Sequence, residues 1–141
     1  MRWKYLFVSV MTILCLFLST SISNAENWYW VGYSSKDGVD VYVDSSSVYC
    51  EKDSSGHKNY NMIHFYEKTI FLDKKVYLVS RCLLSVPDRR IYYYEYTYYD
   101  YDGNAISSGN WDDGYNVKII PGIIAEDEMG IVRYLAHYFN R

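Results

Sequence analysis

The sequence predicts an α+β fold: a twisted antiparallel sheet of about six strands with one C-terminal α-helix packed on one face. Three observations predict it. Segments rich in Tyr, Val, Ile and Phe recur between short polar turns, the composition that suits a pleated, half-buried surface. Val39, Val41 and Val43 alternate with polar partners, which gives a strand one dry face. After Pro121-Gly122 the apolar spacing becomes helical, and one helix over one face of a sheet hides both apolar surfaces.

The chain begins with a leader. Arg2 and Lys4 supply a basic start, residues 5–18 are apolar apart from Ser9 and Thr12, and residues 19–25 are small and polar. This is the layout of a secretory signal peptide, with Ser23 and Ala25 at the positions where signal peptidase takes small side chains. Cleavage is expected after Ala25, which makes 1–25 the leader and 26–141 a single exported domain at the cell surface, in the periplasm or secreted. The alternative, an uncleaved anchor, needs about 20 apolar residues to span a bilayer, and the run is shorter. Leu14 before Cys15 argues against a lipoprotein, whose signal wants a small residue there.

The strands follow in order. The aromatic run of residues 28–33 leads through a turn at 34–38 into 39–44, and residues 45–47 and 53–56 read as loops. Segments 60–71, 76–86 and 91–99 form three successive strands of a meander, separated by Asp73-Lys74-Lys75 and by Pro87-Asp88-Arg89-Arg90. Asp102-Gly103 is a hairpin turn, and 105–108 is the returning strand. The same turn bears a faint likeness to a calcium loop, but the distal glutamate is missing and Gly103 comes too early. In the helix, Ile124, Ile131, Leu135 and Tyr138 form the apolar stripe with Val132 and Phe139 alongside. Glu126, Asp127 and Glu128 occupy the positive end of its dipole, while Arg133 and His137 lie late.

Charge and motifs narrow the function. With Arg2 and Lys4 gone, the 17 acidic residues leave the domain at a net charge of about −5. Nucleic acid is not expected as a partner, because its binding rests on neutralising phosphates. No catalytic residues, metal site or cofactor are expected, since none of the local signatures of nucleophile, zinc or phosphate-loop chemistry appears, and His57, His64 and His137 are scattered. Haem held by His64 and tyrosines in an aromatic groove is a minor alternative.

Of 18 tyrosines, Tyr92, Tyr94, Tyr96 and Tyr98 fall at every second position of one strand and should share a face. Tyrosine brings contact area at low entropic cost, so an exposed row is a candidate partner-binding surface, as is Trp111 in its acidic loop. The alternative is packing under the helix. Register decides between them, since a three- or five-residue connection sets Leu84 opposite Tyr94 and a two- or four-residue one sets it opposite Tyr93. Cys50 and Cys82 remain after cleavage. An even pair in an oxidising compartment reads as a disulfide worth roughly 3.5 kcal/mol in the chain-entropy model, against the alternative of two unpaired thiols.

Three stretches together carry a resemblance: Trp30-Val31-Gly32 with residues 38–48, the run 99–106 with its Asp-Gly turn, and Ile119-Ile120-Pro121-Gly122 before an acidic helix start. In order and content they resemble the bacterial surface-adhesin E family. The resemblance implies a sheet with a C-terminal helix, displayed on or near the cell surface, in a family whose best-known member binds host extracellular-matrix and plasma proteins. A protein partner is expected, either such a host protein or, alternatively, another bacterial envelope protein. Two departures stand out. Ile123 replaces the serine that often follows Pro-Gly, and the helix lacks the cysteine that pairs with a strand cysteine at a position like Cys82, which leaves Cys50 as the replacement.

Overall fold

A computed structural model describes residues 27–139, so the expected leader and Cys15 lie outside the described residues. Among the described residues are eight strands and one helix: β1 Trp28–Ser34, β2 Val39–Asp44, β3 Tyr49–Lys52, β4 Lys58–Phe71, β5 Val76–Ser85, β6 Arg90–Asp100, β7 Ala105–Asn110, β8 Asn116–Lys118 and α1 Ile124–Tyr138. All pairings are antiparallel, in the order β1-β2-β4-β5-β6-β7. Two short strands fill remaining edges: β3 pairs the first half of β4, while β2 pairs its second half, and β8 pairs the start of β6. The fold class is as expected, with β3 and β8 added to the six strands read from the sequence. Each is too short to show its own alternation and exists by pairing with a longer neighbour.

Three of the hairpins close over four residues and end on a left-handed residue, Gly38, Lys75 or Arg89. The β6–β7 hairpin is the expected Asp-Gly turn. Gly103 has φ 85°, and Asp100 accepts from the backbone N–H groups of Asp102 and Asn104 and from the Asn104 side chain.

One face of the sheet carries Val41, Val43, Ile63, Phe65, Cys82, Leu84 and Ile91, all buried beneath Ala125, Val132, Leu135 and Ala136 of α1. Full burial of each large side chain is worth about 1.5–3 kcal/mol. The helix starts without a side-chain cap at Ile123. Its first turn is held instead by Glu126, whose carboxylate accepts from the Gly122 N–H at 3.0 Å. Two helix positions differ from expectation. Tyr138 is exposed, and Glu128 is buried within the stripe Ala125, Glu128, Val132, Leu135.

The tyrosine row is not a row. β6 starts in the register of a four-residue connection, with Leu84 opposite Ile91 and Cys82 opposite Tyr93. By Ser80 the partner is Tyr96. Arg81 therefore faces both Tyr94 and Glu95, a β-bulge that inserts one residue and exchanges the faces beyond it. Tyr92 and Tyr94 lie on the outer face, and Tyr96 and Tyr98 continue the helix-side face of Tyr93. Neither expected pairing of Leu84 forms, since its partner is Ile91, but Tyr93 shares the helix-side face with Leu84 in the first half of the strand and Tyr96 and Tyr98 take that face in the second.

The expected disulfide is absent: Cys50 and Cys82 are free and buried. Cys50 pairs with Ile63 on one edge of β4, and Cys82 with Phe65 on the other. With β4 between them, their backbones are two strand spacings apart, about 10 Å, beyond the roughly 7 Å that a disulfide bridges. The Cys82 thiol instead donates to the Ser80 carbonyl at 3.6 Å.

Candidate functional site

Strand alternation carries Ile63, Phe65, Glu67, Thr69 and Phe71 along the helix side of β4. The first two are core. Glu67, only 6 % exposed, comes next, where α1 presents Glu128, 2 % exposed. Glu67 Oε1 accepts from the Thr69 hydroxyl at 2.8 Å and Oε2 from the Tyr93 hydroxyl at 2.9 Å. Oε1 of Glu128 is buried and, among the described residues, no N–H or O–H group donates to it. Glu128 hydrogen-bonds with Glu67, and two carboxyls form that bond only if one brings a proton. Burial first, then the charge on Glu67, then this bond push the Glu128 carboxyl well above the ordinary glutamate range. Glu128 is therefore the proton carrier and Glu67 the acceptor. Burial first, then the charge of Glu67, likewise raise the Tyr93 phenol and the Cys82 thiol.

The pair lies at the floor of a cleft of about 910 Å³ between the sheet and the start of α1. Val39, Val41, Phe71 and Val117 give it apolar walls, Tyr93 and Tyr115 aromatic ones, and the β1–β2 turn with Lys36 and Asp37 forms the rim, where Asp127 also stands. Lys36 is the only Lys or Arg among the lining residues, against Asp37, Glu67, Asp127 and Glu128.

From the cleft an unbroken run of rings extends over the helix-free part of the same face. Tyr93 touches Tyr115 and Trp111, Trp111 stacks on Tyr115 at 4.8 Å and meets Tyr96 at 5.1 Å, Tyr96 meets Tyr98, and Tyr98 meets Phe71 back at the cleft. Gly109 of β7, opposite Tyr96, leaves the space that its ring occupies. The Trp111 indole N–H is buried and has no hydrogen-bond partner among the described residues.

Of the five partner-binding candidates read from the sequence, the structure thus brings Tyr96, Tyr98 and Trp111 together. Tyr92 and Tyr94 are separated from them by the thickness of the sheet, where Tyr92 stands opposite Leu83 and the Arg81 guanidinium lies over the Tyr94 ring at 5.3 Å. His64 is also on that outer face, stacked on Tyr49 at 4.8 Å with Nε2 at 2.8 Å from Glu51, and does not line the cleft. The groove and the histidine of the haem alternative are thus apart.

No protein-family model matches the chain, and no curated protein or solved structure matches it at a significant level. The site rests on its own geometry.

Sequence reasoning passed over Glu67, Tyr93 and Glu128, although a signal for two of them existed. Glu128 falls between Ala125 and Val132 at spacings of three and four, inside the buried stripe. Glu67 follows Ile63 and Phe65 at strand spacing. Acidic residues at core positions of two elements are the mark of a buried pair. Among the described residues, no group of three or more His, Cys, Asp or Glu is placed to hold a metal ion.

Proposed function

We propose that this chain is an exported, non-enzymatic binding domain, adhesin-like in role, that engages a protein partner with the aromatic run around Trp111 and the cleft beside it. One observation carries the reading: six rings, Phe71, Tyr98, Tyr96, Trp111, Tyr115 and Tyr93, form one continuous band that borders an acidic cleft. Rings with few rotatable bonds and polar tips suit protein recognition, because little freedom is lost on contact. The leader-like start and the resemblance to the surface-adhesin E family support a position outside the cytoplasm and a host matrix or plasma protein as partner.

The test is a panel of immobilised matrix and plasma proteins presented to the purified protein. Saturable binding is expected for at least one, weakened tenfold or more by Trp111→Ala or Tyr115→Ala in variants whose circular dichroism is unchanged. Binding that both variants retain in full would remove the band from the interface. Protease treatment of intact cells then separates a host-facing protein, which is cleaved, from one whose partner lies within the envelope, which is spared.

A further inference from the structure

We propose that the cleft holds an alkylammonium group between Glu128 and Glu67, with the apolar stem of that ligand along Phe71, Tyr93 and Tyr115. The inference rests on the reading of the cleft as part of a partner-binding surface, and it names the chemistry that the cleft takes. The buried, donor-less Oε1 of Glu128 is the first reason. A side chain 2 % exposed and bordering an open cleft carries an oxygen to which no N–H or O–H group among the described residues donates, which is the condition a ligand donor relieves. Second, the acceptors outnumber the cations: Asp37 and Asp127 stand with the pair, and only Lys36 opposes them. Third, the walls are apolar and aromatic, which accommodates a methylene stem and favours a cation against ring faces.

An ammonium fits better than the other cations. Its three donors match oxygens that converge from two carboxyls, whereas a guanidinium asks for a planar bidentate acceptor, and both Glu67 oxygens already accept from Thr69 and Tyr93. A hard divalent ion asks for a cluster of oxygen ligands, and among the described residues no group of three or more His, Cys, Asp or Glu is placed to hold one.

Binding is an exchange of one cation for another. The free protein holds a proton on Glu128. The ammonium arrives with its charge, Glu128 ionises, and that proton leaves to solvent, so charge balances with one proton released per ligand. The other groups facing the pair are Cys82 on β5, Tyr93 on β6, Asp127 on α1, and Lys36 and Asp37 on the turn. Cys82 and Tyr93 stay neutral through neutral pH, so the released proton is that of Glu128. Affinity therefore rises about tenfold per pH unit until free Glu128 itself ionises.

Calorimetry of the purified protein with n-butylammonium, n-butylguanidinium and 1-butanol, in two buffers of different ionisation enthalpy, reads both affinity and proton release. Saturable binding of butylammonium at least tenfold tighter than the other two, with about one proton released, is expected, and Glu128→Gln should abolish the release and weaken binding tenfold or more. Carboxyl ¹³C resonances of the unaltered protein give the same answer without a variant, the Glu128 signal moving to its ionised position on saturation. Equal binding of butanol, or a Glu128 signal that stays protonated at saturation, would overturn the proposal. A lysine-containing peptide and its Nε-acetylated form locate the source: loss on acetylation assigns a partner's lysine, and binding of butylammonium alone assigns a free amine. If butylammonium fails while Trp111→Ala still weakens partner binding, the ammonium inference falls and the binding surface stands.

Discussion

The Tyr93 hydroxyl on β6 donates to Glu67 on β4 at 2.9 Å, reaching across β5. The bond joins three strands over the bulge at Arg81, because Tyr93 is the last residue of β6 in the first register while Glu67 is aligned with Ser80 and Tyr96 of the second. Hydrogen bonds to charged acceptors are worth about 1.5–3 kcal/mol, so Tyr93→Phe should lower the unfolding free energy by about that amount with the ring packing retained. Urea unfolding monitored by far-UV circular dichroism measures it, and a loss under 0.5 kcal/mol would mean that the bond is replaced by water.

Stability should fall as pH rises above the ordinary glutamate range. There the unfolded chain has released the Glu128 proton and the folded chain still holds it, so the unfolded state binds fewer protons and the slope is negative, approaching about 1.4 kcal/mol per pH unit. The stability that protonated Glu128 contributes is complete below its unfolded pKa and is lost as pH rises through the folded one. Glu128→Gln keeps the shape and a donor toward Glu67 without titrating, so the difference between variant and parent should grow with pH from 4.5 to 8 in favour of the variant. Urea midpoints at four pH values decide it, and a pH-independent difference would refute a proton held on Glu128.

Gly109→Ala tests the support of the aromatic band. A methyl there would lie 3.0 Å from the Tyr96 hydroxyl oxygen and 3.2 Å from the ring carbon that bears it, so the ring must shift against Trp111. Overpacking of this kind costs about 1–3 kcal/mol. Near-UV circular dichroism should lose intensity while the far-UV spectrum is unchanged.

Reducing agent should leave the thermal midpoint unchanged, because no Cys50–Cys82 bond is present. Burial raises both thiols above their ordinary range, Cys82 further, helped by the charge of Glu67. Alkylation of the folded protein at pH 8 should therefore be slow, Cys82 slowest, and both should react at once in denaturant. A mass two units lower before reduction than after it would restore the disulfide.

Local pattern and tertiary placement divide this protein between them. The sequence alone determined the elements whose signal is internal to one segment: the valine alternation of β2, the long runs of β4, β5 and β6, the Asp-Gly hairpin, and a helix after Pro121-Gly122. Each follows from the two-residue or 3.6-residue period of its own side chains. It also held, unread, the inward position of Glu128. Tertiary structure decided everything that depends on a neighbour. β3 and β8 exist because β4 and β6 offer them an edge. The bulge at Tyr94 and Glu95, which divides the tyrosines between two faces, answers the register of β5 and has no local mark. Cys50 and Cys82 are close enough in the chain to suggest a bond, yet β4 lies between them. A period says which residues share a face; only strand pairing says what lies opposite, and the binding surface is made of opposites.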